Sequence, residues 1–503
     1  MPDATPPQPT SRPLPRPWYT RKRWYALAAV AAVLSMAGGF LAPPLVQPMG
    51  GLGKFDTAMD EEVARVQPRA GQDAWPLIQA IAKDYSATVS AEVERRKSEP
   101  DYNPVPNLYP YYDAIFVPEG TPQASPDDVE HGRVAQRVLD RLDEADFWGR
   151  FDALSACGFS APVRARGIAL CTFDDLVGGE LRSLCRALVA RMKVAARHGD
   201  QAGAVACFRR VMDLGRLTPP DDGVISALYR VSIEQTVLTA VREEVAAGRL
   251  SPESLAQLDG VLRDYPRLHS EHYYAVERVR GLDMIEWMHT DNGKGDGYFS
   301  PGTLPLGVGE GPRIGAGRAG RLAGVLFESK AACRGKYLGF VERFSRDLDG
   351  NEPVPVVLAR NTPDLDALSK RRTVLLGIML PALGTTVRVG RSCDMHRDGT
   401  RIIVAIGRYR ADHGFYPTGL DALEPAYLER VPVDRFTMRP FGFVAAPGSE
   451  PRWCSLYSLG YDLQDNSGAP AARSVQDALT EKGAGTDYVL GRLGDADQAS
   501  TSP

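Results

Sequence analysis

The sequence predicts a mainly α-helical protein: an N-terminal transmembrane helix, a large helical domain and a small C-terminal α+β domain. Three observations carry that expectation. An uncharged run extends from Trp24 through Leu45, directly after Arg21-Lys22-Arg23. Apolar residues recur three and four apart through most of 56–97 and 128–290, the spacing of one helix face. From about residue 399 the pattern changes to a helix end, a Gly-Phe-Tyr-Pro turn and short strand-like segments.

The first 23 residues are rich in proline and should be extended and solvated. The run that follows holds about twenty apolar residues, which at about 1.5 Å rise match a bilayer core. Trp24 and Tyr25 suit the interface, and Pro43-Pro44 ends the helix. Arg12, Arg16, Arg21, Lys22 and Arg23 precede the run, which puts that side in the cytoplasm. A cleaved signal peptide, with Ser35-Met36-Ala37 as the small-x-small site, is the alternative. On either account the body is exported; the expected location is the inner membrane of a Gram-negative-type envelope, single-pass, with the C-terminal body in the periplasm.

At 503 residues, with 24% charged residues, the chain can bury sizeable cores. Its net charge of −4 gives no global pull toward nucleic acid. Seven cysteines include no C-x-x-C pair, which removes a zinc ribbon and a thioredoxin-type motif. Cys185 and Cys207 fall in helical patterns as small buried hydrophobes. Cys157–Cys171 is a plausible short disulfide loop in an exported chain.

The helical domain is expected over 56–350. Residues 56–97 read as helical, and 101–127 as a proline and tyrosine loop. Leu181, Leu184, Leu188 and Met192 share one face; Val205, Phe208, Val211 and Leu214 mark the next helix. Val224, Leu228, Val231, Val237 and Val241 mark a third. Ser251-Pro252 starts another helix, with serine capping and proline in the first turn. The string Ala195–Phe208 looks like one tetratricopeptide helix-turn-helix, without a second copy at a fixed period. Glycine-rich 291–320 is expected to be a linker or long loop. Residues 321–349 return to helix, 353–363 read as loop, and 364–410 as a long interrupted helix. Its apolar portion, 371–383, is too short to span a bilayer and should be a buried packing helix.

The C-terminal order is specific. It runs Tyr409, Asp412-His413-Gly414-Phe415-Tyr416-Pro417, Leu420-Asp-Ala-Leu423, Pro432-Val-Asp434, Gly460-Tyr-Asp462, Asp465-Asn466-Ser467-Gly468 and Gly485-Thr486-Asp487. This succession resembles the C-terminal domain of the major pseudopilin of type II secretion systems, over roughly 399–490. The resemblance implies a small sheet packed on a long helix (364–495 in all), with an acidic loop that binds calcium. Gly460, Asp462 and Gly485-Thr486-Asp487 match the family's loop, and Leu463 stands where the family has glycine. The pilin helix's apolar stretch and its glutamate are missing and no prepilin peptidase site precedes 371, so processing and polymerisation as a pilin are not expected. The whole arrangement also looks like large membrane-anchored proteins of planctomycete-type bacteria.

Asp462, Asp465, Asn466, Ser467 and Asp487 are therefore the candidate metal residues, with calcium the candidate cofactor. Such hard oxygens on a tight turn suit that ion; a solvated Asp/Asn turn is the plainer outcome. His269, Glu271, His272, Asp283, Glu286 and His289 form a second ionisable cluster, where a solvated, salt-bridged helix face is expected over a metal-assisted hydrolase. Gly315-x-Gly317-x-x-Gly320 lacks the preceding strand that a dinucleotide fingerprint needs. Asp291-Asn-Gly-Lys-Gly-Asp-Gly should be a turn, and no G-x-S-x-G elbow occurs. The expected function is a membrane-anchored binding or assembly role with an envelope protein partner, in association with type II secretion-like machinery. A hydrolase and a purely structural envelope protein are the rivals, and catalysis is the less expected.

Overall fold

The structure, a computed structural model, describes residues 48–494 apart from 68, 106–107, 109, 117–124, 165, 168–169, 171–174, 268–269, 301–326, 349–351, 371–373 and 471–474. The run Trp24–Leu45 lies outside them. Among the described residues no helix is long and apolar enough to cross a membrane. The chain divides into two compact units, Met1–Gly51 with Ile285–Arg334, and Leu52–Met284 with Gly335–Pro503. The fold is mainly helical.

The larger unit begins with α1 (Asp56–Val66) and α2 (Trp75–Lys97). The single helix expected over 56–97 is therefore broken. Gly71 takes the left-handed φ of +85°, and β1 (Gln72–Asp73) leaves to pair in parallel with β2 (Cys157–Phe159). Gly158 is required there, because a Cβ would lie 1.6 Å from the Ala70 carbonyl oxygen.

The helix α3 (Pro126–Glu144) opens on a reciprocal cap: Ser125 Oγ accepts the Asp128 amide while the Asp128 carboxylate accepts the Ser125 amide. It docks on α2 through a buried clamp. The fully buried Arg96 guanidinium donates to both Glu130 oxygens at 2.7 Å and to Asp101 at 2.6 Å, and also reaches Glu99. Those hydrogen bonds hold Arg96 far above its ordinary range, Glu130 first among them. We expect Arg96→Met to cost about 3–5 kcal/mol, because buried Glu130 would lose its bidentate partner and keep only Arg133 at 3.3 Å. Urea denaturation measures this. The double variant Arg96→Met/Glu130→Leu should recover much of the loss, and failure to recover would mean the clamp's worth lies elsewhere.

Next come α4 (Asp175–Arg197), α5 (Gln201–Arg216), α6 (Val224–Ala246) and α7 (Pro252–Asp264). Ser251 caps α7 at the Ser254 amide, as the sequence implies, and Asp200 caps α5 at the Gly203 amide (2.9 Å). Leu181, Leu184, Leu188, Phe208, Val211, Val237 and Val241 are buried between these helices. Burial lifts the Cys185 thiol to about 12 and Cys207 to about 11, so both are packing atoms. Cys157 is a buried free thiol; Cys171 lies outside the described residues.

Then follow α8 (Ser270–Met288), α9 (Lys330–Leu348), α10 (Val354–Lys370) and α11 (Val374–His413). The expectation of loop at 353–363 was wrong. Pro353 precedes α10 and Pro355 sits in its first turn, where a missing N–H costs nothing. Packing on α11 carries the helix through Pro363. Asn361 donates to the Asp347 carboxylate (2.8 Å), and Arg360 to Glu352 (2.6 Å).

The helix α11 runs 40 residues and packs on α6, α7 and α10. Ile402, Ile403, Val404 and Ile406 along it are buried. It ends at Gly414, φ +83°, whose amide returns to the Arg410 carbonyl. A short 3₁₀ turn (Leu420–Leu423) leads to the hairpin β3 (Val433–Asp434) and β4 (Arg439–Pro440). The sheet β5 (Gly442–Ala445), β6 (Trp453–Ser458), β7 (Tyr488–Gly494) is antiparallel in that order. Asp434 binds the corner to β6. Its carboxylate accepts Ser458 Oγ (2.6 Å), Thr437 Oγ1 (2.7 Å) and the Phe436 amide (2.8 Å).

The smaller unit contains the end of α8 and the start of α9. Residues 291–300, at the start of the stretch expected as a linker or long loop, form a hydrogen-bonded turn. Asp291, Asn292 and Asp296 each accept a backbone amide, and the buried Lys330 ammonium lies 3.0 Å from Glu286 and 2.9 Å from Asp291. The Lys330 ammonium thus pairs with one carboxylate of the calcium-like loop, in keeping with the turn expected there.

Candidate functional site

The acidic loop joins β6 to the segment before β7. Its backbone turns left-handed at Gly460, Leu463, Ser467 and Gly468. Leu463, with φ +59°, holds a conformation that glycine adopts without steric cost.

Each candidate carboxylate addresses a backbone amide. Asp462 accepts the Gln464 amide at 3.0 Å through one oxygen and the Gly485 amide at 2.6 Å through the other. Asp465 Oδ1 accepts the Ser467 amide (2.8 Å) and the Tyr457 hydroxyl (2.9 Å). Asp487 is fully buried, and its Oδ2 accepts the amides of Asn466 (3.0 Å) and Gly468 (2.8 Å). Burial raises the Asp487 pKa, against those two amides. Its Oδ1 is buried and has no partner among the described residues. Asn466 Nδ2 donates to the Gln464 carbonyl (3.2 Å).

The structure thus brings Asp465, Asn466 and Asp487 to one side of the turn, while Asp462 clasps Gly485. Among the described residues the Ser467 side chain makes no hydrogen bond, while its amide donates to Asp465. Tyr457, whose hydroxyl reaches Asp465, was not foreseen, and burial lifts its pKa above the ordinary range. A tyrosine one residue before the strand's end gives no sign of this in sequence. Among the described residues no group of three or more His, Cys, Asp or Glu gathers closely enough to hold a metal ion.

The second cluster needs correction. Asp283, Glu286 and His289 were expected on a solvated face, yet all three are buried. Two have partners from distant segments: Asp283 accepts the Leu170 amide (2.7 Å), and Glu286 pairs with Lys330. His289 lies 2.7 Å through Nδ1 from the Ile285 carbonyl and packs on Phe299. Arg280, likewise buried, pairs with Asp222 at 2.9 Å. His269 and the side chains of Glu271 and His272 lie outside the described residues, as does Gly315–Gly320.

Two buried polar nodes on α11 also escaped the sequence. In one, Glu234 of α6 accepts Arg230 Nε (2.7 Å) and Cys393 Sγ (3.2 Å), with Arg397 at 3.7 Å. Both guanidiniums lie over the Tyr265 ring and donate to the Pro266 carbonyl. In the other, His396 Nε2 lies 3.1 Å from the Tyr488 hydroxyl of β7, while Arg242 of α6 donates to Thr400 (2.9 Å). Only Arg230-x-x-x-Glu234, a helix-spaced pair, left a trace in the sequence.

No protein-family model matches this chain, and neither a curated protein nor a solved structure does.

Proposed function

We propose that this chain is an envelope protein, anchored in the inner membrane by residues 24–45, that serves recognition or assembly through its C-terminal α+β module. The observation that carries the reading is the succession after residue 374. A long helix, a left-handed glycine cap, a 3₁₀ turn, an Asp-centred corner, an antiparallel sheet and an acidic loop follow in order. That order supports kinship with secretion pseudopilins and a protein partner in the envelope. The left-handed Leu463 supports it further, standing where that family has glycine.

Calcium fits the loop in part. Asp487 offers a buried oxygen with no partner among the described residues, its other oxygen accepts the Asn466 amide, and the Asp465 carboxylate is near enough to act on its charge. Asp462 has both oxygens committed to amides. A bound calcium would neutralise the crowded carboxylates and fix the turn, taking roughly six to eight oxygens in all. We expect millimolar calcium to raise the melting midpoint of the full-length chain saturably, and Asp487→Asn to abolish the rise. Equal midpoints in calcium and chelator would remove the metal from the proposal. Alkaline extraction of membranes tests the anchor separately: release of the chain into the soluble fraction would contradict it.

One observation favours the structural reading as well. The helix α11 packs on α6 and α7, and β7 on α6, within one compact unit. Deleting 396–503 should therefore unfold the helical body, read as loss of far-ultraviolet cooperativity on heating.

A further inference from the structure

We propose that a cleft bounded by α1, α8 and α9 binds a small oxyanion, a carboxylate or phosphate carried on a short apolar stem. The cleft measures about 480 Å³, within the size range of small-molecule sites. Its walls bring three guanidiniums from three separate helices: Arg65 of α1, Arg278 of α8 and Arg346 of α9. Two carboxylates, Glu62 and Glu342, also face it, so the lining carries one excess positive charge.

The distribution of partners locates that excess. Glu62 is nearly buried and accepts Arg65 at 2.8 and 2.9 Å, while Arg278 approaches the same carboxylate at 3.6 Å. One acid thus serves two bases. Arg346 donates through Nε to the backbone carbonyl of Glu342 at 3.3 Å, and among the described residues no carboxylate pairs with it. Guanidiniums that converge without enough carboxylate repel one another, and a bound oxyanion relieves that repulsion. The planar N–H edges of Arg278 and Arg346 suit paired oxygens. Val341, Ala275 and Tyr274, the first and last of them buried, also line the cleft and form its apolar floor. That apolar floor takes a short aliphatic stem and distinguishes the site from a bare patch of surface arginine.

The experiment uses the full-length chain and two probes at constant ionic strength, inorganic phosphate and isovalerate, read by calorimetry and by the melting midpoint. Saturable binding of either probe supports the proposal. Tighter isovalerate points to organic acids or peptide C-termini, and tighter phosphate to phosphorylated ligands. Arg346→Gln and Arg278→Gln should each weaken binding by about tenfold or more, the weight of a charge-assisted hydrogen bond. Arg150→Gln, outside the cleft, should not. Both cleft arginines are substantially exposed, so the unliganded melting midpoint reports whether each variant is folded. Binding that is unchanged in both cleft variants, or absent for both probes, overturns the proposal.

Discussion

Replacing Glu234 with alanine should destabilise the larger unit by about 3–5 kcal/mol, more than any surface substitution. The residue is wholly inaccessible, and two guanidiniums depend on it. Burial alone would raise its pKa, yet Arg230 and Arg397 overcome this and hold it below the ordinary carboxylate value. Removing the acid leaves the Arg230 and Arg397 guanidiniums beside the Tyr265 ring without the buried carboxylate they share. Their hydrogen bonds to Pro266 remain, at 2.7 and 3.1 Å, but neutral carbonyls do not cancel two charges. Urea denaturation gives the loss directly. The double variant Glu234→Leu/Arg230→Met should be milder than Glu234→Ala, because it removes one orphaned charge with the acid. Since α11 also carries β7, hydrogen exchange in Tyr488–Gly494 should quicken in the single variant. A loss below about 1 kcal/mol, the range of an exposed pair, would refute the node's importance.

The second large effect is on acid stability. Burial, with the Arg242 charge beside it, drives the His396 pKa well below its ordinary value. In the other unit, burial drives His289 down to about 4, with Lys330 adding to it. Both imidazoles are therefore neutral in the folded protein at neutral pH. The unfolded chain takes up protons at ordinary histidine pKa values, about 6.5. Their contribution to stability is complete above that pH and is lost as pH falls below it. Each histidine supplies a slope of about 1.4 kcal/mol per pH unit until its folded pKa is reached. Melting midpoints should thus fall steeply between about pH 6.5 and 4.5. His396→Gln should flatten the slope by one proton's worth, and His289→Gln by another. Carboxylate protonation also acts in this range, so the comparison is between slopes of variant and wild type. Identical slopes would show that neither imidazole is the sensor.

What the sequence determined is local. Ser251 and Pro252 start a helix because a hydroxyl and a fixed φ meet the needs of the first turn, whatever lies around it. Gly414 ends one because glycine alone enters the left-handed region freely. The apolar faces of 181–192 and 205–214 and the run of corner, strands and acidic loop were readable for the same reason: each is a matter of spacing along one segment. The Asp462 turn was readable too, since its carboxylate needs an amide only two residues on.

The tertiary structure decided where charge goes. Nothing in the spacing of Asp283, Glu286 and His289 separates a solvated face from a buried one. Burial follows from Leu170 and Lys330, partners from distant segments, and from Phe299 packed on His289. Pro353–Pro363 looked like loop because three prolines weigh on a local estimate, and packing against α11 outweighed them. The candidate loop divides along the same line. Its acidic residues were visible in sequence, but which oxygen is engaged and which is left bare depends on amides contributed across the fold. Asp487 meets Asn466 and Gly468 only because the chain returns to lay Gly485-Thr486-Asp487 against that turn. A carboxylate buried without a full set of donors is costly, and only the folded chain sets how many donors reach it.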